Sequence, residues 1–88
     1  MDKSVRILIV DDHPMAREGM KEILQEESSF EIVGEATSGK EAVQLTEKIM
    51  PDLILMDINL PDLNGMEATR MIKSKYPYVK IVMVRSEE

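Results

Sequence analysis

The sequence predicts an α/β fold in which strands and helices alternate around a parallel sheet. Two short, mainly apolar runs, residues 6–10 and 53–56, are each bounded by helical or turn patterns. Such runs are typical of parallel strands that are buried on both faces. Four strand patterns alternate with three helical patterns, in the order βαβαβαβ. This order favours right-handed crossovers and a single sheet covered by helices.

The first strand is predicted at residues 6–10, and an amphipathic helix follows it. Asp12 or His13 suits the N-cap position of this helix, because both precede Pro14 directly after the strand. Proline is tolerated in the first helical turn, where its missing N–H group would have no helical partner. Apolar residues then recur at helical spacing up to about Gln25.

The second strand is predicted at residues 30–36, where apolar and polar residues only partly alternate. This pattern indicates a strand that is less buried than the first, as at the edge of a sheet. Ser38 and Glu41 have the spacing of a capping box, which would open a second helix that continues through Ile49. Pro51 ends that helix, since proline disfavours helical geometry in the residue before it.

The third strand, the third helix and the fourth strand complete the pattern. Residues 53–56 form the third strand, and a loop rich in turn residues follows up to Asn64. Asn64 and Glu67 could cap the third helix, which Pro77 ends. Residues 79–84 are predicted to form a fourth buried strand.

Length and composition exclude several classes of protein. A chain of 88 residues forms one small domain at most, and it has no cysteine for a disulfide or a thiolate metal site. The formal charge of −6 argues against a broad nucleic-acid-binding surface. No membrane-spanning run and no signal peptide is found in the sequence, so a cytoplasmic location is expected.

Acidic and polar residues stand where two of the buried strands end. Asp11 and Asp12 follow the first strand, and Asp57 follows the third, two residues before Asn59. Ligands of open α/β sheets bind at this edge, and three carboxylates there repel one another unless a cation lies between them. We therefore expect a divalent-metal site.

The alternative for the acid pair is helix capping, and His13 is expected to be a surface or capping residue without a catalytic role.

Four motifs carry a resemblance to a known family. They are ILIVDDH at residues 7–13 with Pro14 following, LILMDINLPDLNGME at residues 53–67, VGEA at residues 33–36 and GKEA at residues 39–42. In this order and spacing the chain resembles a bacterial response-regulator receiver domain of the NarL/FixJ subfamily, over residues 5–84. The resemblance implies a flavodoxin-like (CheY-like) doubly wound parallel sheet with the strand order 2-1-3-4.

The resemblance also implies a role for each residue of the acidic group. Asp57 would be the phosphoacceptor, taking a phosphoryl group from a phosphohistidine of a sensor histidine kinase. Asp12 and Asp57 would be direct Mg²⁺ ligands, as would the backbone carbonyl of Asn59. Asp11 would assist, often through water. Such a module is not an enzyme. Its parent type is a NarL/FixJ-like transcriptional regulator, but the chain has no DNA-binding domain, so specific nucleic-acid binding is not expected.

The chain departs from the family pattern in two ways. Residues 1–88 would form a receiver that lacks the fourth helix, the fifth strand with its phosphoryl-contacting lysine, and the fifth helix. A Thr or Ser normally follows the fourth strand, but Arg85 stands at that position and Ser86 comes one residue later. Arg85 is expected to be an exposed residue near the chain end. The alternative is that its guanidinium reaches the three aspartates and substitutes for a cation.

These departures leave several hypotheses open. A fourth strand at the edge of the sheet would expose unpaired backbone, which favours a homodimer or a larger homo-oligomer through that strand. The leading function is a phosphoacceptor receiver module, and the alternative is a receiver fragment that is not phosphorylated and acts in interaction or assembly. A third hypothesis is a phosphohydrolase of the haloacid-dehalogenase kind, which would need an acid where Asn59 stands.

Overall fold

The computed structural model describes residues 4–62 and 65–85. Within these ranges the strands and helices follow one another in the predicted order. The strands are β1 (Val5–Val10), β2 (Phe30–Ala36), β3 (Leu53–Asp57) and β4 (Lys80–Val84), and the helices are α1 (Pro14–Gln25), α2 (Gly39–Ile49) and α3 (Gly65–Lys75). The predicted strand bounds differ from these by one residue at most. No helix in the described ranges is both long and apolar enough to cross a membrane.

All four strands are parallel and form one sheet in the order β2-β1-β3-β4. This confirms the predicted CheY-like fold with its strand order 2-1-3-4. Among the described strands β2 and β4 form the two edges, which agrees with the weak alternation of β2. In the register between β1 and β3, Val10 lies opposite Met56. The next residues, Asp11 and Asp57, therefore stand side by side at the carboxyl edge of the sheet.

The main core lies between one face of the sheet and the helices α2 and α3. Leu8 and Val10 of β1 and Ile54 of β3 are completely buried there. They pack in one cluster with Ala42 of α2 and Ile72 of α3. This packing holds β1 and β3 against a rigid layer, so the residues at the ends of both strands have fixed positions.

The other face of the sheet is covered less completely. Ile9 of β1, Leu55 of β3 and Val82 of β4 are paired across the sheet on this face. Ile9 is fully buried, whereas Val82 is 47% exposed. α1 contributes no fully buried side chain. The prediction of a fourth buried strand is therefore wrong in part, because β4 is an edge strand with only half-buried and exposed positions.

The start of α1 lies at one of the two predicted N-cap positions. His13 is the N-cap residue, but its side chain makes no capping hydrogen bond, and Asp12 lies one residue earlier. Two side chains of α1 connect this helix to β2. Nε of Arg17 and Nζ of Lys21 lie 3.2 and 3.0 Å from carboxylate oxygens of Glu35. The hydrogen bond from Lys21 lowers the pKa of Glu35, and the same bond raises the pKa of Lys21.

The start of α2 confirms half of the predicted capping box. Ser38 is the N-cap, and its Oγ accepts a hydrogen bond from the backbone N–H of Glu41 at 3.1 Å. The carboxylate of Glu41 bonds to Thr37 rather than returning to Ser38. Its Oε1 accepts from the backbone N–H and the hydroxyl of Thr37, at 2.9 and 3.2 Å. The predicted cap of α3 at Asn64 lies outside the described residues.

A second carboxylate reaches α2 from a distant loop. Asp62, between β3 and α3, accepts hydrogen bonds from the backbone N–H groups of the first two residues of α2, at 3.0 and 3.2 Å. Both groups are among those that a helix leaves without an internal partner. The contact therefore stabilises the start of α2 and anchors the loop that leads away from Asp57.

Candidate functional site

The candidate site lies at the carboxyl ends of β1 and β3. Asp11 directly follows β1, and Asp57 is the last residue of β3 rather than the first residue after it. Both side chains are completely buried. Buried carboxylates are costly unless hydrogen bonds or a cation compensate their charge. The fold therefore brings two of the predicted acids together in a place where their charge requires compensation.

Four residues could hold a metal ion there: Asp11, Asp12, His13 and Asp57, called the Asp–His cluster below. Each offers one ligand atom, and these atoms all lie within 4.8 Å of one another. Oδ1 of Asp12 is buried and accepts no hydrogen bond from the described residues, although Nδ1 of His13 lies 3.2 Å away. Three carboxylates suit a hard cation such as Mg²⁺. A buried carboxylate oxygen without a hydrogen-bond donor among the described residues is also suited to metal ligation. The donor set therefore fits a divalent cation.

His13 belongs to this cluster, although the sequence predicted a surface or capping residue without a catalytic role. Its Nδ1 lies 2.7 Å from Oδ1 of Asp11 and 3.7 Å from Oδ2 of Asp57. The side chain is 24% exposed, so it is not a solvated surface residue. His13 occupies the N-cap position of α1, but its side chain makes no capping hydrogen bond. One feature of the sequence could have indicated this contact. His13 directly follows two acids at the end of a strand, and from that position its ring can turn back over their carboxylates.

Backbone donors also hold the carboxylates. The N–H of His13 donates to Oδ1 of Asp11 at 2.9 Å, and the N–H of Asn59 donates to Oδ1 of Asp57 at 3.2 Å. In both cases an aspartate accepts from the residue two positions later, as in an Asx turn. Capping of α1 alone therefore does not explain the acid pair.

Asn59 is brought next to Asp57 as predicted, and metal ligation by its carbonyl stays a prediction.

Gly65 allows α3 to begin directly against the end of β3. Its N–H donates to the carbonyl of Ile58 at 2.8 Å. A Cβ at this position would overlap the carbonyl oxygen of Asp57 and lie 3.0 Å from both Cα of Ile58 and Cε of Met83. The absence of a side chain at Gly65 thus relieves crowding against the backbone of the candidate phosphoacceptor.

Arg17 connects α1 to the site, a contact that the sequence did not predict. Its Nη1 donates to the backbone carbonyl of Asp11 at 2.7 Å, while its Nε donates to Glu35 of β2. Since the guanidinium binds both groups at once, it fixes the backbone of Asp11 relative to α1 and β2. Helical spacing alone gave no sign of this contact.

Of the two residues at or next to the position of the family's Thr or Ser, the structure describes only Arg85. Ser86 lies outside the described residues. Arg85 is exposed after β4, and none of the described residues forms a hydrogen bond or ion pair with it. Its exposure agrees with the expectation for a residue near the chain end. Substitution of its guanidinium for a cation stays a hypothesis.

Comparison with known proteins identifies the family to which the chain belongs. The family model of the response regulator receiver domain matches residues 7–88. The transcriptional regulatory protein DegU of Brevibacillus brevis is 48% identical over 83 residues, a match that covers 94% of this chain and 35% of the relative. The chain thus spans about a third of the length of that relative.

Solved structures show the same fold. The response regulator domain of Thermotoga maritima CheB has a TM-score of 0.90 at 39% identity, covering 96% of this chain and 62% of that chain. The signal receiver domain of a Mycobacterium tuberculosis protein designated response regulator NarL has a TM-score of 0.88 at 30% identity, covering 98% and 69%. The NarL/FixJ resemblance is thereby confirmed, and the chain belongs to the response regulator receiver domain family.

Proposed function

We propose that this chain is a phosphoacceptor module of two-component signalling, in which Asp57 accepts a phosphoryl group from a phosphohistidine of a sensor histidine kinase. The observation that carries the proposal is the position of Asp57. Its carboxylate is buried at the end of β3, within the Asp–His cluster. A haloacid-dehalogenase-type phosphohydrolase is not supported, since the chain belongs to another family and Asn59 cannot act as a general acid.

The proposed reaction is a nucleophilic substitution at phosphorus. One oxygen of Asp57 bonds to phosphorus while the P–N bond of phosphohistidine breaks, and its electron pair returns to the leaving imidazole nitrogen. The product is an acyl phosphate on Asp57. The N–H of Asn59 holds Oδ1 of that carboxylate in place during the reaction.

The proposed cofactor is Mg²⁺. Its ligands would be carboxylate oxygens of Asp12 and Asp57 and the backbone carbonyl of Asn59, with Asp11 assisting through water. When bound, the ion would neutralise negative charge on the transferring group. Three carboxylates within the Asp–His cluster support this proposal, because their mutual repulsion falls when a cation lies among them.

Phosphoryl transfer requires access to Asp57, which has no exposed surface in this structure. At least one neighbouring group must therefore move before a phosphoryl donor can approach. The ring of His13, whose Nδ1 lies 3.7 Å from Oδ2 of Asp57, is one such neighbour. An enclosed carboxylate would also protect the acyl phosphate from water once it has formed.

The test is covalent loading from a small phosphoryl donor. The chain is incubated with acetyl phosphate and Mg²⁺, and intact-mass spectrometry measures the gain of one phosphoryl group. Wild-type protein is expected to form the adduct and Asp57→Asn is not. Asp52→Asn is the matched control, because Asp52 is an exposed acid at the opposite end of β3. An adduct that persists in Asp57→Asn, or its absence in folded wild-type protein, contradicts the proposal.

The wider role that we propose is a cytoplasmic signalling switch rather than a turnover enzyme. Residues 1–88 would supply only the receiver part of a transcriptional regulator, the type to which the relative DegU belongs by name. The chain itself would then make no specific contact with nucleic acid, and its formal charge of −6 supports this. A gel-shift assay in which the chain alone selects one DNA sequence would contradict it.

A second candidate function is an assembly module that is not phosphorylated. Among the described strands β4 pairs only with β3, so its other edge presents backbone N–H and C=O groups away from the sheet. Val82 of this strand is 47% exposed, and the exposed Arg85 follows it. Exposed strand edges favour pairing with another strand. We propose that a second copy of the chain pairs there, giving a homodimer or a larger homo-oligomer.

Sedimentation equilibrium at micromolar concentration tests this assembly. Wild-type protein is expected to associate, and Val82→Lys should weaken association because it places a charge on the pairing edge. Met71→Lys is the control, since Met71 is an exposed apolar residue of the helix α3 and not of the strand β4. A wild-type protein that sediments as a monomer contradicts pairing through β4.

A further inference from the structure

We propose that His13 positions the carboxylate of Asp11 through an Nδ1–H hydrogen bond, and that this bond sets how tightly the site binds Mg²⁺. The inference rests on the metal function proposed above. His13 is the N-cap of α1 but makes no capping bond. Its ring turns back instead, with Nδ1 2.7 Å from Oδ1 of Asp11.

The surroundings of Nδ1 determine which group donates the hydrogen. Carboxylate oxygens of Asp11, Asp12 and Asp57 lie 2.7, 3.2 and 3.7 Å from Nδ1. Ionised carboxylates only accept hydrogen bonds. Since these carboxylate oxygens are acceptors, we infer that Nδ1 carries a hydrogen. Both the neutral Nδ1–H tautomer and the charged ring have a hydrogen on Nδ1, so either form of His13 can donate this hydrogen bond.

The hydrogen bond restricts Asp11 beyond what the backbone does. Oδ1 of Asp11 accepts hydrogen bonds from both the ring and the backbone N–H of His13. The backbone carbonyl of Asp11 accepts a hydrogen bond from Arg17. Two donors on one oxygen hold the carboxylate in a single orientation. A ligating or water-binding carboxylate that is already oriented loses less freedom when the metal binds. Without the ring donor, the backbone N–H of His13 would still donate to Oδ1, but the ring would no longer restrict the carboxylate.

Two substitutions separate the donor from the shape of the side chain. His13→Leu removes the N–H group, whereas His13→Asn keeps an N–H group close to the position of Nδ1. Removing an outer hydrogen-bond partner of a metal ligand typically weakens metal binding by roughly 10–100-fold. We expect His13→Leu to raise the Kd for Mg²⁺ about tenfold and His13→Asn to change it no more than about twofold. Isothermal titration calorimetry on the full chain measures both, with circular dichroism as the control for folding.

Equal losses of Mg²⁺ affinity in the two variants, or no loss in His13→Leu, overturn the proposal. A second measurement requires no metal. His13 is the only histidine of the chain, so its ring nitrogens are identified unambiguously in a long-range ¹H–¹⁵N NMR spectrum. We expect a hydrogen on Nδ1, and a neutral ring protonated only on Nε2 overturns the inference. Since neither Mg²⁺ nor a phosphoryl donor is present, this outcome is distinguishable from a failure of phosphorylation at Asp57.

Discussion

Replacing Gly65 with alanine should disturb the end of β3 directly behind the candidate phosphoacceptor. The added Cβ would overlap the carbonyl oxygen of Asp57 and lie 3.0 Å from Cα of Ile58, and both are backbone atoms that cannot rotate away. The backbone must therefore move. That movement would strain the hydrogen bond from the N–H of Gly65 to the carbonyl of Ile58, which is 2.8 Å long.

The size of the effect follows from three contributions. Inserting a methyl group into a closely packed site costs about 1–3 kcal/mol. Losing a neutral hydrogen bond costs about 1 kcal/mol more. The better helix propensity of alanine offsets at most about 1 kcal/mol, and less at a helix end than in its interior. We therefore expect the free energy of unfolding to fall by about 2 kcal/mol.

Urea unfolding followed by far-ultraviolet circular dichroism measures this change, and calorimetry measures Mg²⁺ affinity on the same protein. Gly19→Ala is the matched control, because Gly19 lies within α1 and a Cβ there would meet no atom within 4 Å. Helix propensity alone should then raise stability by about 0.5–1 kcal/mol. If Gly65→Ala is as stable as the wild type, α3 can move away from Asp57 without cost and the packing argument is refuted.

Three further substitutions test other contacts by urea unfolding. Asp62→Ala should lower stability by about 1 kcal/mol, because two N–H groups of α2 lose their acceptor; an unchanged midpoint would contradict that role. The hydrogen bond from Lys21 holds the pKa of folded Glu35 below its ordinary value of 4.5, so this contribution to stability is present above pH 4.5 and is lost as the pH falls through the lowered pKa. Glu35→Gln should therefore remove about 0.5 kcal/mol near neutral pH and flatten the loss in acid, and an unaltered pH profile would count against it. Ile72→Ala should cost about 3 kcal/mol by leaving a cavity beside β3, whereas the neighbouring exposed Met71→Ala should change stability by less than about 0.5 kcal/mol.

The sequence by itself determined the order of the elements and the meeting of the acids. Strand and helix periods are local properties, and the predicted strands agreed with the structure to within one residue. The convergence of Asp11 and Asp57 followed from a general rule, since parallel strands that are neighbours end at the same edge of the sheet. The position of Ser38 as the N-cap of α2 was equally local.

Only the tertiary structure decided how the site is supported. The ring of His13 faces the carboxylates instead of capping α1, and Asp62 reaches α2 across 22 and 23 residues of sequence. Arg17 binds the carbonyl of Asp11, and Gly65 lies against the backbone of Asp57. These contacts depend on side-chain rotamers and on distances between segments that are remote in the chain. Local periodicity contains neither quantity, because it records which face of an element is apolar and not what another element places against it.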